Sequence, residues 1–393
     1  MKILHTVEFY PPSVGGMQEV VKQLSERLVK LGHEVTVATT RLPERTAKII
    51  NGVRIVEFSV SGNAVRGLNG ETAHYRNFLL NAECDIIANF AAQQWATDIM
   101  LPILDRIKAK KVFVPTGFSG LYMPEYKDYF TSMKSWFKKY DMNVFLSDDY
   151  RDIHFARECG ITRTALIPNG AGANEFQARP AVDIRHELGI PAGHFLILHV
   201  GSHTGLKGHA EALQIFRQAE INNATFLLIA NTFGGGGCTR HCTATAAAYN
   251  SSPPAALARK KIIVAELPRK TTIAAYHAAD LFLFPSNLEC SPLVLFEAMA
   301  SKTPFLTTDA GNAGEIVAWS GGGLLLPTEI DYKEYVYSRA DIIGSVRLLE
   351  DLFNDAGKRE AMQENGFAAW QQSFTWEKIT RDYEKLYLGL LED

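Results

Sequence analysis

The chain has 393 residues, room for two or three domains of ordinary size, and 47% hydrophobic with 21% charged residues describes a globular protein with ample material for cores. A formal net charge of −3 and the lack of a long basic run give no reason to expect nucleic acid as a partner. Nowhere do about eighteen apolar residues run together, so no transmembrane segment is expected, and five scattered cysteines suit a reducing cytoplasm better than a disulfide framework.

Lys2 to Val7 reads as a buried strand and not as a signal peptide, because Glu8 and Pro11-Pro12 follow it at once. The loop Glu8 to Gly16 carries Gly15-Gly16. An amphipathic helix then runs from about Met17 to Leu31, with Val20, Val21, Leu24, Leu28 and Leu31 at near-helical spacing and Gly32 as its stop. Glu34 to Thr39 is the next strand. Strand, glycine loop, helix and strand open a doubly wound α/β fold, but the loop lacks G-x-G-x-x-G and so disfavours a nicotinamide dinucleotide. Gly15 and Gly16 let backbone approach a ligand at a helix N-terminus, or serve simply as turn residues.

Further strands are expected at Asp85 to Ala88, Lys111 to Val114, Asn143 to Leu146 and Ala165 to Ile167, separated by helical patterns at Asn89 to Ile107, Lys127 to Lys139 and Asp148 to Cys159. Met133 to Lys139, with Trp136, Phe137, Lys138 and Lys139, is a stretch for peripheral membrane contact or, more simply, an amphipathic helix. Arg179-Pro180 interrupts the pattern, which places one domain at 1–180 and a second at 181–372, with a final helix at 373–393 that begins near Phe374-Thr375-Trp376-Glu377.

Phe195 to Val200 starts the pattern again, followed by Gly201-Ser202-His203-Thr204-Gly205-Leu206-Lys207-Gly208 and a helix to about Ala219. This second strand–loop–helix unit has its own phosphate-suited turn, with Lys207 at the helix start. Asn231 to Ala258 is the least regular stretch and is expected to be a mobile loop; Gly234 to Gly237 leads into Cys238-Thr239-Arg240-His241-Cys242. Cys238, His241 and Cys242 supply three donors where a tetrahedral site needs four, so no metal is expected.

Lys261 to Ala265 and Leu281 to Phe284 are strands, with Thr271 to Ala279 helical between them. After Phe284 come Pro285-Ser286-Asn287-Leu288-Glu289-Cys290-Ser291-Pro292, a helix-patterned run through Glu297-Ala298-Met299-Ala300, a strand at Pro304 to Thr307, and Gly311-Asn312-Ala313-Gly314-Glu315. Glu289 and Glu297 flank seven residues. Ser291 suits the N-cap and Pro292 the first helical position, which aims free amides at the place where open parallel sheets bind ligands.

This pattern resembles the E-x7-E signature of the retaining GT-B-fold glycosyltransferases, the large family numbered four. The resemblance spans the chain and is most specific in the second half. It implies two Rossmann-like domains facing an interdomain cleft, with a C-terminal helix crossing back to the first. It also implies transfer of a sugar from a nucleoside diphosphate sugar, UDP being the commonest carrier, to an acceptor hydroxyl with retention. A glycan, a lipid-linked glycan or a small molecule would be the acceptor. No cofactor or metal would be required, and the work would be done in the cytoplasm or at the inner face of the membrane.

Residue by residue, the resemblance implies that Glu289 contacts the donor sugar and Glu297 the ribose, and that amides of Cys290, Ser291, Pro292's successors Leu293 and Val294 hold sugar and diphosphate. Lys207 would stabilise the leaving diphosphate, Gly15 and Gly16 would lie against phosphates or acceptor, and the turn Glu266 to Arg269 would lie near the base. Asn169-Gly170 and Gly311 to Glu315, with Asn312 for a second glycine, match further family positions. Two departures stand out. Relatives carry Gly-Arg ahead of Lys-Gly, whereas Ser202 stands at the arginine's place; loss of a bidentate guanidinium from a phosphate site is not conservative. His203, Arg269 or Lys270 is the expected compensating cation. Thr116, before Gly117, stands where many relatives carry a histidine. A nucleotide-sugar 2-epimerase or a non-catalytic nucleotide-sugar binder are the rival readings.

Overall fold

The computed structural model describes residues 1–178, 180–231, 237–332 and 336–392. The chain forms two compact units: Met1–Asn169 together with Trp376–Asp393, and Gly170–Thr375.

The first unit is built on an eight-stranded sheet in the order β10-β9-β8-β7-β1-β2-β4-β3. Its strands are β1 (Lys2–Thr6), β2 (Glu34–Thr40), β3 (Ile49–Ile50), β4 (Val53–Phe58), β7 (Ile86–Phe90), β8 (Lys110–Val114), β9 (Met142–Phe145) and β10 (Thr164–Leu166). A separate hairpin pairs β5 (Val60–Asn63) with β6 (Gly67–Gly70). All neighbours in the large sheet are parallel except β3 and β4. Every residue of β7 is buried, the signature of a parallel strand covered on both faces.

The helix Gly16–Lys30 buries Val20, Val21, Leu24 and Leu28, the stripe that its periodicity predicts. Against it lies the last helix, Trp376–Glu392, which returns to the first unit as the family resemblance implies. Arg27 Nη2 donates to Glu377 Oε1 at 2.8 Å, and His33 Nε2 lies 2.7 Å from Glu384 Oε1. Deeper in the same contact, Tyr387 Oη is 3.3 Å from His5 Nε2, and His5 Nδ1 is 2.8 Å from Ser25 Oγ.

The second unit carries a six-stranded sheet, all parallel, in the order β13-β12-β11-β14-β15-β16. Its strands are β11 (Phe195–Val200), β12 (Ala224–Ile229), β13 (Lys260–Ala265), β14 (Leu281–Phe284), β15 (Phe305–Thr307) and β16 (Gly323–Leu325). An antiparallel pair, β17 (Thr328–Tyr332) and β18 (Val336–Ala340), follows. Strand order reverses direction at β11, so the loops after β11 and β14 open side by side at the carboxyl edge. This is the topological switch point of a doubly wound sheet.

Several expectations need correction. The units change at Asn169 and not at Arg179-Pro180. Phe176 is in the second unit's core, and Ala171 is fixed there by Trp370 Nε1, which donates to its carbonyl at 3.1 Å. No long helix fills Asn89 to Ile107: β7 runs on to Phe90, the chain turns through left-handed Ala91 and Gln93, and only Trp95–Asp98 and a 3-10 segment, Leu101–Arg106, follow. Asn231 to Ala258 is more ordered than its composition suggests, with helices Thr239–Asn250 and Pro253–Leu257; Gly234 to Gly236 lie outside the described residues. In Met133 to Lys139, Met133 and Phe137 are core residues and Trp136 packs on Tyr129, so the apolar side faces inward.

His5 makes the first unit sensitive to acid. Burial lowers its pKa to about 3, whereas in the unfolded chain it titrates near 6.5. Below that value the unfolded state binds a proton that the folded state refuses, so stability falls with pH, by up to about 1.4 kcal/mol per unit. His5→Asn is expected to flatten the pH dependence of the denaturation midpoint between pH 6.5 and about 4, measured by urea titration against the parent chain.

Candidate active site

Loops from three strand ends meet at the carboxyl edge of the second sheet. Gly208 adopts φ +68, and a Cβ there would sit 1.7 Å from the Pro285 carbonyl oxygen. Only glycine permits so close a backbone approach. Asn287 N donates to Leu206 O at 2.9 Å, which ties the loop after β11 to the loop after β14. Gly311, at φ +65, brings in the loop after β15; its Cβ would lie 2.4 Å from Cys290 O, and Asn312 N donates to that same carbonyl at 2.8 Å.

This convergence sets the charged groups. Lys207 Nζ donates to Glu289 Oε1 at 2.6 Å, and Ser286 Oγ donates to the same oxygen at 2.7 Å. The Glu289 side chain is 10% exposed and that of Lys207 27%. Helix Leu293–Ala300 starts beyond, with Pro292 as its N-cap at extended backbone angles and no side-chain cap. Ser291, expected at the cap, lies one residue outside, because the chain is still extended at Pro292. The leading amides of such a helix, here Leu293 and Val294, have no partner inside it and carry the positive end of its dipole.

Glu297 is the fifth residue of that helix and is buried. Its Oε1 accepts from Arg269 Nη1 at 2.5 Å, and Arg269 Nη2 reaches Glu175 at 3.2 Å. Both acids of the spaced pair are thus matched with a cation brought by another segment.

Two family models match the chain: "Glycosyl transferases group 1" over residues 182–368, and "Glycosyltransferase Family 4" over residues 14–173. The chain belongs to the group 1 glycosyltransferases. An uncharacterized glycosyltransferase of Methanocaldococcus jannaschii is 22% identical, over 100% of this chain and 99% of its own. Among solved structures, sucrose-phosphate synthase from Thermosynechococcus elongatus superposes with a TM-score of 0.80 at 18% identity, covering 100% of this chain and 99% of that one. An Anabaena protein solved in complex with UDP-glucose gives a TM-score of 0.73 at 16% identity, covering 99% of this chain and 100% of that one. With two Rossmann-like parallel sheets and these neighbours, the fold is GT-B.

Within this glycosyltransferase fold, Ser202 and His203 lie in the same loop as Lys207, but the His203 ring is buried and faces Cys238 Sγ at 3.4 Å. Arg269 is held by Glu297 and Glu175, and Lys270 is exposed beside it. The donor count around Cys238 also needs correction. His203, His209, Cys238 and Cys242 place one ligand atom each within 4.8 Å of one another, while His241 is exposed and outside the group. Sequence spacing hides this, because the two histidines lie far upstream of the cysteines.

Gly15, Gly16, Thr116 and Gly117 belong to the first unit. Gly15 is the N-cap of its helix and Gly16 the first helical residue. Thr116 sits at φ 57, a strained angle for a branched residue, and Gly117 N donates to buried Asp152 at 2.8 Å. The sequence reading passed over two neighbours. Gln94 Oε1 accepts from Glu8 N at 2.6 Å after β1, and burial, then Asp98, pushes the Glu8 carboxyl up to about 7. Left-handed angles at Ala91, Gln93, Thr116 and Phe118 cluster after β7 and β8, and no residue pattern announces them.

Gly208→Ala is expected to destabilise the chain by more than about 2 kcal/mol, because its Cβ collides with backbone and not with a movable side chain. Thermal melting checks this; a melting point equal to the parent's would show that the Pro285 contact is not fixed.

Proposed function

We propose that the chain is a retaining, metal-independent transferase that moves a sugar from a nucleoside diphosphate sugar, UDP favoured, to an acceptor hydroxyl in glycan or glycolipid synthesis. The observation that carries the reading is the Lys207–Glu289 pair, 2.6 Å apart at the switch point of the second sheet, beside the start of helix Leu293–Ala300. The UDP-glucose complex of the Anabaena neighbour supports the choice of carrier.

Departure of a diphosphate builds negative charge on its bridging oxygen. Lys207 and the leading amides of Leu293 and Val294 supply a field fixed in advance for that charge. Glu289, oriented by Ser286, hydrogen-bonds the sugar and eases positive charge at the anomeric carbon. Glu297 receives the ribose hydroxyls, positioned by Arg269. The departing phosphate oxygen takes the acceptor's proton, so no separate protein base is required, and attack from the same face retains configuration. On the first unit, Glu8, Thr116 and Gly117 are the acceptor-side candidates at the ends of β1 and β8.

The test is melting temperature against UDP, GDP, ADP, CMP and their sugar conjugates, followed by turnover. One nucleotide is expected to stabilise the chain by mass action. Lys207→Ala should weaken that binding about ten- to a hundredfold, and Glu297→Ala should weaken it too. Glu289→Gln should retain the nucleotide shift while turnover falls at least about a hundredfold, and the product's anomeric proton coupling should match the donor's. Near-normal turnover in Glu289→Gln would sink the catalytic assignment. Nucleotide binding without any turnover would favour a non-catalytic binder, and isomerised donor without acceptor a 2-epimerase.

A further inference from the structure

Beside the phosphate-suited loop lies a group of side chains for which sugar transfer has no use. His203 and His209 bracket Lys207, one in the loop after β11 and the other at the first position of helix His209–Gln218. Cys238 is the N-cap of helix Thr239–Asn250, and Cys242 lies one turn further on. The two cysteines thus stand four residues apart on one helical face. Nδ1 of His209 lies 3.0 Å from Cys238 Sγ and Nδ1 of His203 lies 3.4 Å from it. The two imidazoles pack edge to face with centroids 4.9 Å apart. One ligand atom from each of the four residues falls within 4.8 Å of all the others. His203, His209 and Cys242 are buried, and Nε2 of His209 has no hydrogen-bond partner among the described residues.

We propose that His203, His209, Cys238 and Cys242 form a structural zinc site. Two thiolates and two imidazoles are the donor set of closed tetrahedral zinc centres, and soft sulfur ligands exclude magnesium and calcium. Buried polar groups this close need a common partner, and a single ion satisfies all four at once. Binding deprotonates both thiols: two S–H bonds break, two zinc–sulfur bonds form, and two protons are released. Two thiolates neutralise the ion, so the centre adds no net charge for a diphosphate and does not stand in for the guanidinium absent at Ser202. It supplies rigidity, fixing both ends of the loop that carries Lys207 to the helix Thr239–Asn250.

The full chain, expressed with zinc and desalted against a mild chelator, is expected to hold about one zinc per chain by elemental mass spectrometry. Replacement by cobalt is expected to give the thiolate charge-transfer and intense visible bands of tetrahedral cobalt. Cys242→Ser and His209→Gln should each weaken metal binding by more than about tenfold, while His241→Gln, exposed and outside the group, should keep it. If the ligand variants do not fold, the cobalt spectrum of the parent chain decides alone. Substoichiometric zinc with no thiolate bands, unchanged metal content in Cys242→Ser, or a Cys238–Cys242 disulfide in the reduced preparation would each overturn the assignment.

Discussion

The second unit depends on one steric permission, the approach of Gly208 to the carbonyl of Pro285. Two strand ends must come together closely enough for a short lysine side chain to span them, and any Cβ at 208 would hold them apart. From that contact follow the lysine–glutamate pair, the placing of Ser286 and the position at which helix Leu293–Ala300 begins. Gly311 repeats the device from the far side by pressing the loop after β15 onto Cys290. Geometry at this edge is therefore set by backbone, and the side chains inherit it.

Electrostatics then settles which side chains tolerate the place. Glu289 and Glu297 have side chains only 10% and 8% exposed, and a carboxylate so placed needs a counter-charge or its neutral form takes over. Each acid has a cation drawn from a different strand end, Lys207 from after β11 and Arg269 from after β13. Ion pairs of this kind add little net stability because desolvation offsets attraction. Their value lies in keeping charged oxygens where polar ligands can exchange for part of the cation's hold.

The apolar strands were readable because parallel strands covered on both faces cannot hide their composition; β1, β11 and β14 needed no more than that. The acid spacing was readable because a loop and the helix after it fix the distance between Glu289 and Glu297 within one stretch of chain. Three things escaped. The left-handed turns at Ala91 and Gln93 fall on residues with no preference for such angles, so Asn89 to Ile107 looked helical. The unit boundary at Asn169 rests on Trp370 capping the Ala171 carbonyl, a contact across about two hundred positions that local pattern cannot contain. The four clustered sulfur and imidazole donors come from two strand ends, and only sheet order makes those ends neighbours.

The return of helix Trp376–Glu392 to the first unit has a consequence for how the molecule is made. The second unit is one unbroken stretch of chain and is complete when Thr375 has been added. The first unit is not: the partners of His5, Arg27 and His33 arrive with the final residues synthesised. On a ribosome the N-terminal sheet must wait, with the surface of helix Gly16–Lys30 uncovered, until translation has ended. The last part of the molecule to emerge thus completes the first, and the N-terminal unit is the one that needs protection during synthesis.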